Sequence, residues 1–346
     1  MNVWNKFKEN RFLRRTVVLA FIIVLLYLLR SMMNMILFTF IFTFLIVKAI
    51  RLVQRFLPKT PVWLIVIVIY LLLIVGLYFA ITKYLPILVT QLGKMVNSLI
   101  TFYQHNQGWL MKYVHHYVSD KTLISQTRSW LEVAISTLTS VGTMTVTVFM
   151  SMILSFFYTI ELDQLETFSR LFLTSKLDWL FNDIHYFGRV FVNSFGVVIE
   201  AQFFIALCNT VITTVCLMLM KMPQIVALAL MIFLLSLIPV AGVIISLIPL
   251  CLVGYSVGGI RDVIYILVMV ACIHMLEAYV LNPKFMASRT ELPIFYTFVI
   301  LLVAEHLFGG WGLIVGVPIF TFFIDVLGVD RQKLTKKPKK KLVPKD

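Results

Sequence analysis

Three carboxylates lie in or beside the long apolar runs of the C-terminal half: Glu200, Glu277 and Glu305. A charge at the centre of a bilayer costs at least about 3 kcal/mol, so each needs a partner or a task. Glu305 is the sharpest case. It sits in "LLVAEHLFGGWG", four residues before a glycine break, with His306 beside it. A carboxylate next to freed backbone carbonyls could bind a cation, exchange a proton if desolvated, or simply cap the broken backbone. Glu200 opens "EAQFF", with Gln202 and Asn209 farther along the same helix, and Glu277 lies in "IHMLEAYVLNP", three residues after His274. That spacing puts His274 and Glu277 on one helix face. A place at the membrane interface would account for Glu200 and Glu277 as well as a task would.

The segments that must position these groups are broken. The run from Gln224 to Val257 is about 34 residues long and is interrupted near Pro239 to Gly242; the run from Ile294 to Leu327 is interrupted at Phe308 to Gly312. Sliding one onto the other by 70 residues puts Pro223 on Pro293 and Gly242 on Gly312, with Pro249 one place past Pro318. Each broken run follows a single apolar run, Phe195 to Met220 and Val263 to Leu281. This is a weak internal repeat of one span plus one broken segment. A break frees backbone groups that lipid cannot satisfy, so they must face protein or a watery cavity. Paired broken helices in corresponding halves point to a transport site, which makes Pro239, Gly242, Gly309, Gly310 and Gly312 candidate binding residues beside Glu305, Glu200 and Glu277. The plainer reading is that the prolines and glycines kink packed helices.

Composition sets the class. Of 346 residues 60% are hydrophobic, with 29 Phe and 16 Met, and only 13% are charged. No soluble domain of this length hides that much apolar surface. The expected fold is all-α: a polytopic integral membrane protein with about eight apolar segments. The divisions expected are a hairpin and basic loop at 1–60, a third span at 61–82, an amphipathic insert at 83–135 on the far side, and a fourth span at 136–160. Amphipathic cytoplasmic helices follow at 161–195, then the repeat-bearing core at 196–328 and a basic tail at 329–346. The Ser/Thr-rich fourth span suits close helix packing better than a polar path. His115 and His116 are adjacent and so point to different faces, as wet surface residues do.

The net charge of +14 is concentrated at the ends. The basic N-terminus, the loop from Lys48 to Lys59 and the tail "RQKLTKKPKKKLVPKD" all belong on the cytoplasmic side by the positive-inside rule. The tail lacks interleaved aromatics, so it suits anionic lipid rather than nucleic acid. The four cysteines lack metal-ligand spacing, and nothing suggests a cofactor or a metal. Whether identical chains associate stays open.

Each broken run is either one long kinked span or a re-entrant hairpin. A helix of 34 residues would reach about 51 Å, against a hydrocarbon core of about 30 Å. The loop Asn282 to Glu291 also has more positive charge than Gly258 to Asp262. Both observations lean to hairpins.

Four stretches carry a family likeness: "SFFYTIELDQLETF", "GVVIEAQFFIALCNTVITTVCLMLMKMPQIVALAL", "LSLIPVAGVIISLIPLCLVGY" and "EAYVLNPKFMASRTELPIFYTFVILLVAEHLFGGWGLIVGVPIF". Together they resemble the autoinducer-2 exporter family, the PerM-like permeases, over nearly the whole chain. The resemblance implies a multi-pass permease of a bacterial inner or plasma membrane. Some members are described as exporting autoinducer-2, others as sodium/proton antiporters. Glu305 stands where many members carry a small residue, which favours cation or proton coupling. No GxxxxGK[ST] motif is present, so an ion gradient rather than ATP would drive transport. The expectation is therefore a secondary transporter, not an enzyme. It would move a small solute, or a monovalent cation and a proton, by alternating access, with Glu305 as the leading ion site. A passive channel and a membrane scaffold are the alternatives from other classes.

Overall fold

The computed structural model describes residues 8–84, 86–87, 90, 141–239, 241–281, 284–285, 292–309 and 312–328. Every regular element among them is helical. The insert expected over 83–135, with His115 and His116, lies almost wholly outside the described residues. So do the basic tail and Gly310.

Two helices open the chain, joined by a short turn. Asn10 caps α1 (Arg11–Leu28) by accepting from Leu13 N–H at 3.2 Å. One 3-10 turn, Arg30–Met32, then leads into α2 (Met33–Phe56). Pro61 precedes α3 (Val62–Phe79), which ends in a π turn, Ala80–Tyr84. After the insert come α4 (Val141–Ile160) and α5 (Leu162–Phe172), and the chain bends by 79° between them.

The next helix, α6 (Asp178–Leu219), is 42 residues long. It therefore reaches about 63 Å, twice the hydrocarbon core. The polar segment before residue 195 and the apolar run after it are thus one rod, with no joint at the expected boundary. Its C-terminus is closed by a Schellman turn, with Met222 N–H on Leu217 O and Lys221 N–H on Met218 O, both at 3.0 Å. Lys221 takes the left-handed position, φ 54°, that glycine usually fills.

Both broken runs are present as helix pairs. The first is α7 (Ile225–Ser236) and α8 (Ala241–Gly258), with Pro249 inside α8. The second is α10 (Ile294–Phe308) and α11 (Gly312–Val326), with Pro318 inside α11. Between the pairs runs α9 (Ile260–Leu276), extended by a π turn, Glu277–Leu281. The chain bends by 114° between α10 and α11, so it turns back on itself. The two halves exchange contacts: α6 packs against α11, and α9 packs against α8. Each single span thus meets the second arm of the other half's broken pair, as two related halves should.

All eight expected apolar segments appear as helices, but fewer qualify as spans. Among the described residues, four stretches are long and apolar enough to cross a bilayer alone: Arg30–Phe56, Val62–Tyr84, Asp178–Leu219 and Ile260–Leu281; counting each bent pair as one span gives up to six. The shortfall is physical. α1 carries Arg11, Arg14 and Arg15 in its first turns, and α7, at 12 residues, covers only about 18 Å.

Small clusters hold the helices together. Ile46, Ile50, Val66, Tyr70 and Met152 join α2, α3 and α4; Phe195, Ile199 and Val315 join α6 to α11; Leu217, Leu228, Leu250 and Ile266 join α6 through α9. Outside these, large apolar side chains stay open, among them Leu72 at 65% and Leu302 at 70% exposed. Such a surface requires lipid.

Candidate functional site

The long helix α6 carries a buried polar stripe. Gln202, Asn209 and Thr213 are each 5% exposed or less. At 100° per residue they fall within an arc of about 40°, on one face. Lipid-facing or apolar packing would not tolerate them unpaired, so their partners show what the face is for.

Gln202 Nε2 donates to Ser236 O at 2.6 Å. Ser236 is the last residue of α7, and its carbonyl is one of the four that a helix end leaves without an intrahelical partner. The first break is thus closed by a side chain from α6. Two turns farther on, Asn209 Nδ2 donates to Glu277 Oε2 at 2.8 Å. Glu277 is 5% exposed and begins the π turn at the end of α9. Such single π turns are frequent where a helix presents a functional group. Asn209 Oδ1, however, is buried with no partner among the described residues, as is Thr214 Oγ1 one residue past Thr213. The face therefore holds a carboxylate, an amide and one unused oxygen acceptor, Asn209 Oδ1, inside the protein, while Thr214 turns about 100° away from it.

The other sequence candidates are placed as follows. Glu200 is ion-paired with Lys48 of α2 at 2.8 Å and is partly exposed. Glu305 is exposed and has no partner among the described residues. His274 is exposed while Glu277 is buried, yet the two stay close enough to interact electrostatically, as their spacing implies. Pro239 is buried in the α7–α8 turn. Gly242 and Gly312, matched by the 70-residue shift, do the same job. A Cβ on Gly242 would collide with the Leu235 carbonyl, and one on Gly312 with the Ala304 carbonyl and Glu305 N. In each pair the second arm starts against the backbone of the first. Gly309 ends α10 at φ 65°, and its N–H reaches Glu305 O. The structure joins Glu277 to Asn209 and Glu200 to Lys48; it does not bring Glu305, Glu277 and Glu200 together.

Several polar contacts carried no signal in the sequence. Asp183, 2% exposed, is held by Arg14 through Nε at 2.5 Å and Nη2 at 3.1 Å. Arg15 approaches it at 3.7 Å and stacks over Tyr186. Ser194 Oγ donates to Asp325 Oδ2, tying α6 to α11. In the Ser/Thr-rich α4, Ser151, Ser155 and Thr159 are buried and bond to Met35 O, Thr43, Tyr70 or their own helix. Those hydroxyls pack α4 rather than line a path.

A helical chain with several apolar spans, two broken helix pairs and a buried carboxylate between them is a multi-pass membrane protein of the permease class. The chain belongs to the AI-2E family: the profile described as "AI-2E family transporter" matches residues 16–331. It is 38% identical over 332 residues to the Bacillus subtilis (strain 168) protein named "Putative transport protein YdbI", covering 95% of each chain. It is also 28% identical over 102 residues to a Thermotoga maritima protein named "Putative transport protein", covering 30% of this chain and 32% of that one.

Proposed function

We propose that this chain is a secondary transporter of the bacterial cell membrane, with both termini cytoplasmic, and that it moves a small solute or cation by alternating access around the two broken pairs. The observation that carries the reading is the buried Asn209–Glu277 pair, with Asn209 Oδ1 left unused, beside a broken helix whose end α6 also holds. A buried carboxylate with a spare oxygen acceptor beside it suits a proton or a hard monovalent cation. That favours one finer reading, sodium or lithium exchanged for protons, with Glu277 as the titrating group.

The test is flux into proteoliposomes with a trapped pH dye. Sodium, lithium or potassium chloride is pulsed in, and wild type is compared with Glu277→Gln and Glu305→Gln. Cation-driven proton movement that Glu277→Gln abolishes supports exchange through this pair. The same movement lost only in Glu305→Gln would shift the site to α10. No proton response to any cation removes the exchange reading and leaves export of a small organic solute. Flux that never saturates would instead indicate a channel.

A further inference from the structure

A groove of about 520 Å³ runs between α2, α4 and α6, on the side away from Asn209 and Glu277. Its α2 wall is Ile36, Phe40, Phe44, Val47, Lys48 and Arg51. With Thr39 and Thr43 they follow the i, i+3, i+4 spacing of one stripe of that helix. From Ile36 to Arg51 the stripe extends about 22 Å. One bilayer leaflet with its headgroup region is about 20–22 Å thick. The groove is thus as long as one lipid is tall.

The stripe is also graded. Lys48 and Arg51 stand at one end, one turn apart, while Ile36 and Phe40 lie at the other, with Val192 and Val197 on the facing wall. Lys48 is partly neutralised by Glu200. Arg51 is exposed, with no carboxylate bonded to it among the described residues. Tyr158 and Asn193 add polar groups to the walls. The two threonines in the groove place no demand on a ligand, because Thr39 Oγ1 donates to Met35 O and Thr43 Oγ1 to Ser155 Oγ. A second groove, of about 410 Å³ between α3 and α4, has no charged side chain and so no means of choosing a headgroup.

We propose that the α2–α4–α6 groove binds one anionic phospholipid, its phosphate at Arg51 and Lys48 and one acyl chain lying toward Ile36. The charge at one end and the apolar length together select this occupant. A soluble anion would leave the apolar length empty, and a zwitterionic lipid would leave Arg51 without a net partner.

Native mass spectrometry of the full-length protein in detergent tests this with three probes: phosphatidylglycerol, phosphatidylcholine and glycerol 3-phosphate. Two variants are compared with wild type, Arg51→Gln and the groove-filling Val192→Trp, each checked for an unchanged elution volume. The expected result is one tightly held phosphatidylglycerol, weakened about fivefold in Arg51→Gln, the loss that about one surface charge confers. Val192→Trp should displace it as well, and Arg51→Lys should restore most of the binding. Weakening in Arg51→Gln with none in Val192→Trp would mean general surface attraction and overturn the groove. Equal binding of phosphatidylcholine, or of glycerol 3-phosphate, would overturn the choice of ligand.

Discussion

Gly242→Ala and Gly312→Ala should be strongly destabilising, while the same change at Gly76 should not. At Gly242 the new methyl meets the carbonyl of Leu235, and at Gly312 it meets that of Ala304 and the nitrogen of Glu305. These obstacles are backbone, so no rotamer change clears them; the arms of each pair must part. Overpacking costs about 1–3 kcal/mol where side chains can adjust, and a backbone obstacle belongs at the top of that range. Replacing glycine by alanine in a helix returns about 0.5–1 kcal/mol. The net expectation is a loss of about 2 kcal/mol at each break. At Gly76, inside α3, nothing lies within 4 Å of an added Cβ. There only the helix term operates, and a gain of about 0.5–1 kcal/mol is expected. Thermal melts followed by size-exclusion fluorescence in one detergent, run on all three variants, measure the contrast. If Gly242→Ala and Gly312→Ala melt as high as Gly76→Ala, the two breaks are not tight turns and the matched roles of these glycines are wrong.

Three further changes are read by the same melts. Asp183→Ala strands Arg14 in a largely buried pair and should cost about 3–5 kcal/mol, whereas the double change Arg14→Met, Asp183→Leu should recover much of it; equal loss in both would mean packing, not charge, is at stake. Lys221→Gly relieves a left-handed lysine at the α6 C-terminus and should gain about 1 kcal/mol; a lower melting point would contradict the Schellman assignment. Gln202→Met keeps the volume but leaves the Ser236 carbonyl unpaired, at a cost of about 1–3 kcal/mol; no change would show that carbonyl satisfied some other way.

The breaks were legible because proline and glycine are statements about the backbone itself. Pro239, Gly242 and Gly312 announced turns that the helix pairs contain, and the 70-residue shift paired two glycines that each lie against the backbone of their first arm. The partners were not legible. Arg14 and Asp183 are 169 residues apart, and Asn209 and Glu277 are 68 apart, so nothing local couples them. Glu305 shows the limit from the other side. Its apolar surroundings made it stand out, but surroundings in sequence do not choose a face. On α10 the buried positions are Thr297, Leu301 and Ala304. Residue 305 lies at the edge of that face, about 40° from Leu301 and 100° from Ala304, and its side chain is exposed there. Glu277 was as conspicuous, and it follows Ile266, Val270 and Ile273 at the spacing of three and four that puts it on the buried face of α9.

The cost of breaking a helix in a membrane is usually assigned to whatever passes through, on the view that freed carbonyls wait for an ion. Here the first break is different. Ser236 O, the group left open at the end of α7, already has an amide from α6, and Gly242 closes the turn against Leu235. An acceptor without a partner among the described residues lies instead two turns along α6, at Asn209 Oδ1, where an amide faces a carboxylate. The stripe therefore divides its labour. Gln202 fastens the broken pair to the rod, and Asn209 holds Glu277 with capacity to spare. Any movement of the first broken pair relative to α6 must break or carry along the Gln202 bond, so the same helix that holds the carboxylate also registers the position of the break.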